Sequence, residues 1–385
     1  MHPPTENHPE KAQHEPREQN MSKLKKWALA GLMVTSLSLG LAACGGGSGG
    51  TTEEAAAPSK ADAEKPATGT LRLFAYDDTV TDEQLDPFRK ANPDVDLKIA
   101  TFNSNEEAAA KLAGGFEADV VEVCLDEAEP LLVRKQLRPI DTAGISAWDN
   151  LAFRDQPEVR QDGEVITVPL SAGPYGIIYN TEEVPDGVAS YEEMFSDEFA
   201  GRMAVEGSSA VAPLAVAAFA LGFEDPFNMD AEQLDEAKNF LIDNRDKIRS
   251  YPDSDSDMVN LFKTGEVVVA NGGRGTAQDM IAEGMPVKWV APTEGMWSWV
   301  CGLGLTSKVK NTDAAYKLLN YYADPEAQAI SAENGFVITN PEAEKLVPKK
   351  YRETSDPKSI EGAIPLTAPE DTEAYTRAWQ EVRTG

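Results

Sequence analysis

The chain has 385 residues and is strongly acidic, with 65 Asp and Glu against 35 Lys and Arg and a formal net charge of −30. Such a surface repels phosphate backbones, which argues against nucleic acid as a partner. The three histidines are His2, His8 and His14, so the rest of the chain excludes a histidine triad or an imidazole metal site. We expect no catalytic group, metal or cofactor.

The N-terminal region has the order of a secretory signal peptide. Lysines between residues 23 and 26 precede an apolar run over 27–43, and Leu41–Ala43 lead directly into Cys44. A cysteine at this point is typical of a bacterial lipoprotein. The pattern predicts a signal peptide over residues 1–43, with Met21 as the true start, and lipid on Cys44. The alternative is a short membrane anchor that ends in an incidental cysteine.

These features predict a location outside the cytoplasm. A lipid on Cys44 would tether the protein to the outer face of the cytoplasmic membrane, in the periplasmic space or at the cell surface. Residues 44–68 are small and polar and read as a flexible tether. The globular body then extends from residue 69 to 385, which is long enough for two hydrophobic cores.

The body opens with strands that alternate with helices. Strands are predicted at Thr70–Tyr76, Leu97–Phe102 and Ala118–Cys124. The segment Thr81–Gln84 is a capping box that opens the first helix, and the second covers Glu106–Ala113. This alternation favours a parallel α/β architecture.

The middle of the chain predicts a crossing between two lobes. Val165–Leu170 and Tyr175–Asn180 read as two strands joined by small residues and a proline. The later predicted elements are strands Arg202–Val205, Gly265–Asn271, Val287–Ala291 and Trp297–Thr306, and helices Ser209–Leu221, Ala231–Ile248, Thr276–Glu283, Thr312–Ala323, Pro325–Gly335 and Asp371–Arg383.

We therefore predict an α/β clam-shell with hinge crossovers. The first lobe covers 69–171 and the second 172–298, and 299–385 returns to the first lobe and adds the C-terminal helices. The last helix is expected to strap across the hinge. Ligands bind outside the carboxyl ends of strands in such sheets, where two lobes can close on a small molecule.

Five segments resemble the extracellular solute-binding proteins of ATP-driven importers, and within them the spermidine/putrescine-binding family. They are Leu71–Val80, Ala118–Cys124, Val168–Asn180, Phe262–Trp299 and Gly335–Ala343. The resemblance implies a two-lobed type II periplasmic-binding fold. It also implies a monomer that captures a polyamine or related amine and docks on a membrane permease.

Polyamine binders hold methylene chains with aromatic rings and ammonium groups with carboxylates. The family's ligand positions, carried over to this sequence, and the strand pattern give one candidate ligand set. Asp77 and Asp78 are added to it because they follow the end of the first strand. Its members are Tyr76, Asp77, Asp78, Cys124, Asp126, Ser208, Arg274, Trp297, Trp299, Cys301 and Phe336.

Several positions depart from the family pattern. Cys301 occupies the position of the hinge carboxylate, and Ser208 and Val211 occupy the positions of a pair of acidic residues. Gly273, which precedes Arg274, occupies the position of a tryptophan. An amino acid, an opine or an aminophosphonate would use both the carboxylates of the first lobe and an arginine. Such ligands are the alternative to a polyamine.

Two cysteines and one acidic loop leave further alternatives open. We expect Cys124 and Cys301 to lie close together, as a disulfide or as two thiols. A thiaminase-like enzyme would use Cys124 as nucleophile, with Glu122 or Asp126 as base; a passive surface lipoprotein would have no cleft. The segment Asp253–Asp257 fails the calcium-loop pattern and is read as a polar loop at the cleft mouth.

Overall fold

The computed structural model describes residues 66–156 and 159–385. The strands are β1 Gly69–Ala75, β2 Val95–Thr101, β3 Val120–Cys124, β4 Leu137–Arg138, β5 Arg160–Gln161, β6 Glu164–Val165, β7 Val168–Asn180, β8 Met203–Ala204, β9 Ile248–Ser250, β10 Val269–Gly273, β11 Val287–Val290, β12 Trp297–Thr306, β13 Val337–Ile338 and β14 Ile364–Pro365. The predicted signal peptide, Cys44 and most of the tether lie outside the described residues.

The helices alternate with these strands along much of the chain. They are α1 Asp82–Ala91, α2 Asn105–Ala113, α3 Glu129–Val133, α4 Tyr191–Met194, α5 Val211–Ala220, α6 Ala231–Asp243, α7 Asp255–Lys263, α8 Arg274–Ala282, α9 Thr312–Ala323, α10 Pro325–Glu333, α11 Arg352–Ser355 and α12 Thr372–Thr384. Within the described ranges, none has the length and apolar character that crossing a membrane requires.

One sheet joins two groups of parallel strands. Its order is β2-β1-β3-β12-β7-β10-β8-β9. In the first group β1 is parallel to β2 and β3, and in the second β8 is parallel to β9 and β10. Between the groups, β12 and β7 pair antiparallel with each other and with the group on each side. These long strands are the predicted crossovers.

The apolar side chains form two principal cores. The first core, which includes Leu71, Phe88 and Leu303, takes its residues from 67–172 and 300–360. The second core, which includes Phe219, takes its residues from 177–297 and 375–382. Burial of large side chains in two separate cores stabilises two compact units that share the same sheet.

Strand β7 corrects the prediction of two strands separated by a break. It is continuous over 13 residues because its small central residues pair with β12, with Pro174 opposite Ser298 and Ser171 opposite Cys301. The cross-strand partners hold this segment extended although its sequence resembles a turn. Side chains of β7 therefore lie at fixed positions between the two cores.

Two boundaries in the second half also differ from the predictions. Helix α6 ends at Asp243 instead of Ile248, because Ile248 begins β9 and pairs with Met203 of β8. The acidic segment at Asp253–Asp257 opens α7 and is not a free loop. The Ser254 side chain accepts a hydrogen bond from the Asp257 backbone N–H and caps this helix.

The C-terminal helix α12 packs on the second core and does not cross between the cores. Tyr375 and Trp379 are buried there, and the Tyr375 hydroxyl accepts a hydrogen bond of 2.9 Å from the Met229 backbone N–H. An ion pair of 2.9 Å joins Lys238 of α6 to Glu381. The predicted strap is therefore an outer layer of one unit.

Candidate functional site

Acidic residues from both units meet at the carboxyl ends of the strands. Those of the first unit follow β1 and β3 or lie within β3. Those of the second unit follow β8 or begin α7. We call this set the acidic cluster, and its members are Asp77, Asp78, Glu122, Asp126, Glu127, Glu206 and Asp255.

One part of the acidic cluster joins the end of β3 to the end of β8. Burial raises the pKa of Asp126 well above its usual range, and the negative charges of Glu127 and Glu206 raise it further. Burial is also the main cause of the raised pKa of Glu206, about 7, although hydrogen bonds from Ser208 oppose it. The carboxylates of the two units are thus close enough to repel each other.

A second part joins the end of β1 to the start of α7. Burial raises the pKa of Asp78 to about 6, and the neighbouring charges of Asp255 and Asp77 add to the rise. The pKa of Asp255 is raised by burial and then by Asp77, while a hydrogen bond with Thr276 lowers it. Here too a carboxylate of the second unit faces two of the first.

Glu122 lies beneath the first unit's part of the acidic cluster. Its side chain is 2% exposed, and it accepts hydrogen bonds from the Tyr76 backbone N–H at 3.0 Å and from the Thr79 hydroxyl at 3.1 Å. Burial, followed by the charge of Asp78, raises its pKa to about 8. In the sequence, Glu122 is the one charged residue within the apolar strand VVEVC, and this pattern was the available indication of a buried carboxylate.

Asp78 and Asp255 lie at the surface of the acidic cluster. Both side chains are exposed to water. Protein atoms nevertheless surround them densely enough for burial to be the largest cause of their raised pKa. Asp78 and Asp255 therefore form the solvent-accessible side of the acidic cluster.

The acidic cluster has no basic side chain to balance it among the described residues. The ion pairs of the described residues involve other carboxylates, for example Asp119 with Arg72 and Glu183 with Arg202. No Lys or Arg is among the groups that shift the pKa of Asp78, Glu122, Asp126, Glu127, Glu206 or Asp255. One oxygen of Asp126, Oδ1, is buried without a hydrogen-bond partner. The site therefore has uncompensated negative charge and an unsatisfied acceptor.

Tyr175 connects the two parts of the acidic cluster. It lies on β7, and its pKa is raised by burial and then by Glu206, Asp255, Asp126 and Glu127. Its hydroxyl is therefore within electrostatic reach of carboxylates from both units.

Trp297, one of the predicted ligand residues, supports Tyr175 from the second core. The two rings stack with centroids 4.3 Å apart. Trp297 is only 1% exposed, and its indole N–H donates a 2.9 Å hydrogen bond to the Tyr191 hydroxyl. Because Trp297 is enclosed in the core, the structure does not bring it to the acidic cluster.

Trp299 and Phe336 form an aromatic wall. They are half-buried and meet edge to face, with ring centroids 5.9 Å apart. Trp299 lies across Gly173 of β7, where a Cβ atom would be only 2.6 Å from the indole ring. Only glycine leaves room for the ring in this position. The structure thus brings together two of the predicted aromatic residues.

Tyr76 is tied to the acidic cluster directly. Its hydroxyl donates a 3.2 Å hydrogen bond to Glu127, and its ring packs edge to face on Phe102 with centroids 4.6 Å apart. Ser208 donates its backbone N–H to Glu206 at 2.8 Å. The predicted residues Tyr76 and Ser208 therefore lie within the site and orient its carboxylates.

Cys124 and Cys301 form a disulfide, which confirms that their sulfurs lie close together. The two residues are direct partners in the antiparallel pairing of β3 with β12. The bond removes the free thiol that the thiaminase-like alternative needs, so Cys124 is not a nucleophile in this structure.

Arg274 lies at a different place from the acidic cluster. It is 8% exposed, and its guanidinium donates hydrogen bonds to the Thr354 carbonyl and, at 3.0 Å, to the Ser359 hydroxyl. It also lies over the Trp289 ring. Burial lowers its pKa to about 10. These contacts place it against the segment around α11, away from the predicted partners.

Sequence reasoning missed Glu127, Glu206, Asp255 and Tyr175 as ligand-site residues. The family pattern placed the acidic pair of the second unit at Ser208 and Val211, whereas in the structure Glu206 and Asp255 are the carboxylates that face the first unit. Glu206 directly follows the predicted strand Arg202–Val205, and Asp255 lies in the loop assigned to the cleft mouth. Acidic residues at strand ends were therefore the available signal.

The two-lobed fold is shared with solved periplasmic binding proteins. The chain belongs to the bacterial extracellular solute-binding proteins, whose family model matches residues 83–357. As a member of an extracellular family, it is an exported protein.

Particular relatives refine this class. The chain is 27% identical over 342 residues to spermidine/putrescine-binding periplasmic protein 1 of Haemophilus influenzae, covering 87% of this chain and 90% of the relative. The TpPotD lipoprotein of Treponema pallidum has a similar structure, with a TM-score of 0.73, 21% identity and coverage of 82% and 99%. The binding protein MotA of A. tumefaciens, solved with glucopine, gives a TM-score of 0.67, 18% identity and coverage of 82% and 100%. The predicted two-lobed α/β fold is confirmed.

Proposed function

We propose that this protein binds a polyamine, of the spermidine or putrescine type, in the cleft between its two units. The observation that carries the proposal is the acidic cluster: carboxylates from both units face each other, and no described basic residue neutralises them. A ligand with several ammonium groups would supply the missing positive charge to both walls.

The aromatic residues fit the rest of such a ligand. Tyr175 provides a ring within electrostatic reach of the carboxylates, and Trp299, on the neighbouring strand β12, forms the aromatic wall with Phe336. Ring faces attract cations and pack well on methylene chains. Among the named relatives, the Haemophilus influenzae protein is a spermidine/putrescine-binding protein, which supports the same ligand class.

A ligand that also carries an acid is the alternative, and the contacts of Arg274 weigh against it. The guanidinium that would hold a carboxylate or phosphonate is engaged with Thr354 and Ser359. An opine or amino acid would therefore add negative charge to a site that already has an excess of it.

The proposed role is delivery of the bound amine to a membrane permease driven by ATP hydrolysis. The protein acts as a monomer, held at the membrane by lipid on Cys44 through the tether of residues 44–68. The proposed lobes are 69–171 and 172–298, and 299–385 returns to the first lobe except for α12, which packs on the second core. The lipoprotein relative in Treponema pallidum supports the anchor.

Cys44→Ser should move the protein from the membrane fraction to the soluble fraction, because the lipid would then have no attachment site. Unchanged membrane association would contradict the anchor.

Calorimetric titration of the full chain in detergent tests the ligand class. Spermidine and putrescine should bind, whereas amino acids, opines, aminophosphonates and thiamine should not. Glu206→Gln and Asp255→Asn each remove a carboxylate of the second unit and should weaken spermidine binding by about 10-fold or more. Glu236→Gln, at an exposed position on α6, is the matched control and should leave affinity unchanged.

Binding of the acid-bearing compounds alone would contradict the proposal. Unaltered spermidine affinity in both Glu206→Gln and Asp255→Asn would place the site elsewhere.

A further inference from the structure

The disulfide lies beside the acidic cluster and connects it to the strand that carries the aromatic wall. Cys124 ends β3 and is followed by a 3-10 turn, Leu125–Glu127, which carries Asp126 and Glu127. Cys301 lies two residues beyond Trp299 on β12. The bond therefore joins the turn that bears two carboxylates to the strand that bears the aromatic wall.

Asn105 supplies the other restraint on this turn. Its side-chain oxygen accepts a 2.7 Å hydrogen bond from the Cys124 backbone N–H, and its side-chain N–H₂ donates to the Glu122 carbonyl at 3.0 Å. The Asn105 backbone N–H donates to Glu127 at 3.0 Å. Asp126 lacks such support, because its buried Oδ1 has no hydrogen-bond partner.

Repulsion acts on the same turn whenever its carboxylates are ionised and no ligand is bound. Asp126 lies within electrostatic reach of Glu127 and of Glu206 across the cleft. Like charges at close range favour displacement of the turn toward solvent. A covalent link from Cys124 to β12 opposes that displacement.

The link is not needed to hold the two strands together. β3 and β12 stay paired from Cys124 opposite Cys301 to Val120 opposite Leu305. This backbone ladder lies in the middle of the sheet, between β1 and β7. Loss of the bond would therefore leave the fold intact and change the position of the turn.

We propose that the Cys124–Cys301 disulfide is a positioning element for the ligand site, which holds Asp126 and Glu127 against their mutual repulsion at the place where an ammonium group binds. This inference rests on the proposed function. The disulfide touches no reacting group, and it acts on the ligand through the two carboxylates.

The experiment compares the crosslinked full chain with two uncrosslinked forms. One is Cys124→Ala/Cys301→Ala, and the other is the unaltered chain reduced with a phosphine, which keeps every side chain. Circular dichroism establishes that each form is folded. Both should bind 1,4-diaminobutane about 10-fold more weakly than the crosslinked chain, the scale expected when a positioned charge contact is loosened.

A double-mutant cycle separates positioning from general stability. Asp126→Asn should cost much less affinity without the disulfide than with it, because the two changes act on the same contact. Asp77→Asn, on the other part of the acidic cluster, is the matched control and should cost the same in both backgrounds. Additive effects for Asp126→Asn, or equal affinity with and without the bond, would overturn the inference. Failure of the crosslinked chain to bind any amine would overturn the proposed function instead.

Discussion

Glu206 lies 9% exposed at the end of β8, where its carboxylate accepts a hydrogen bond from Ser208 and faces other carboxylates. Burial without a counter-charge holds its pKa at about 7, above the usual value of 4.5. In the unfolded chain the same group ionises near its usual pKa. The folded state therefore retains a proton that the unfolded state releases between these two values.

The free energy of unfolding without ligand should consequently fall as the pH rises from about 5 to 8. The stabilising contribution of the extra proton on Glu206 is fully present below the pKa of the unfolded chain. It is lost as the pH rises through the pKa of the folded chain. Glu206→Gln should flatten this fall and stabilise the ligand-free chain by about 1–3 kcal/mol at pH 8, since one pKa unit corresponds to about 1.4 kcal/mol. Urea unfolding at several pH values measures it, with Glu236→Gln as control. An unchanged pH slope would show that Glu206 is not buried as described.

Gly173 permits the position of Trp299, and its substitution tests the aromatic wall. In Gly173→Ala the new Cβ would meet the indole at 2.6 Å, so the ring must leave its place against Phe336. We expect amine affinity to fall by about 10-fold, with a stability cost of about 1–3 kcal/mol for the added methyl group. In Gly275→Ala, the control, the nearest atom is at 3.8 Å. Unaltered affinity in Gly173→Ala would remove Trp299 from the site.

At the scale of elements, sequence pattern and structure agree best where local capping and periodicity act alone. The side chain of Thr81 caps α1, and Trp297–Thr306 is a strand as predicted. The predictions and the structure differ where pairing between distant strands sets the element bounds. Pairing with β12 makes β7 continuous, and pairing with β8 places Ile248 in β9. Asp371–Arg383 was correctly predicted as a helix, but nothing in its sequence indicated which unit it would cover.

The attachment of α12 to the second core gives a stability prediction. Tyr375→Phe removes the acceptor of the Met229 N–H and leaves that buried donor unpaired. The free energy of unfolding should fall by about 1–2 kcal/mol, with spermidine affinity unchanged, because α12 covers one core only. Glu373→Gln, which removes an exposed pair with Arg377 on the same helix, should change stability by less than about 0.5 kcal/mol. A loss of affinity in Tyr375→Phe would indicate that the helix does contact both units.

For the whole molecule, the central property is that each unit contributes part of an unneutralised charge cluster. At neutral pH the raised pKa values leave some carboxylates protonated, including those of Glu122 and Glu206 with pKa values of about 8 and 7. An ammonium ligand favours the ionised form and lowers these pKa values. Binding should therefore release protons.

Calorimetry at pH 7 in buffers of different ionisation enthalpy measures this release. We expect on the order of one proton per spermidine bound, and a smaller number at pH 9, where these groups are already ionised. Glu206→Gln should reduce the number at pH 7, whereas Glu236→Gln should not. Proton uptake on binding would contradict a cationic ligand in the acidic cluster.

The sequence by itself determined the alternation of strands and helices, the acidic surface and the resemblance to solute-binding proteins, because these depend on local periodicity, composition and the order of motifs. It also placed Tyr76, Asp78, Asp126 and Trp299 in the candidate site, since strand ends can be read from apolar runs. Only the tertiary structure decided that Trp297 is enclosed in a core, that Arg274 is hydrogen-bonded to Thr354 and Ser359, and that Glu206 and Asp255 join the acidic cluster. Those outcomes depend on which strands pair and how far each side chain is buried, and both are properties of residues that lie far apart in the chain.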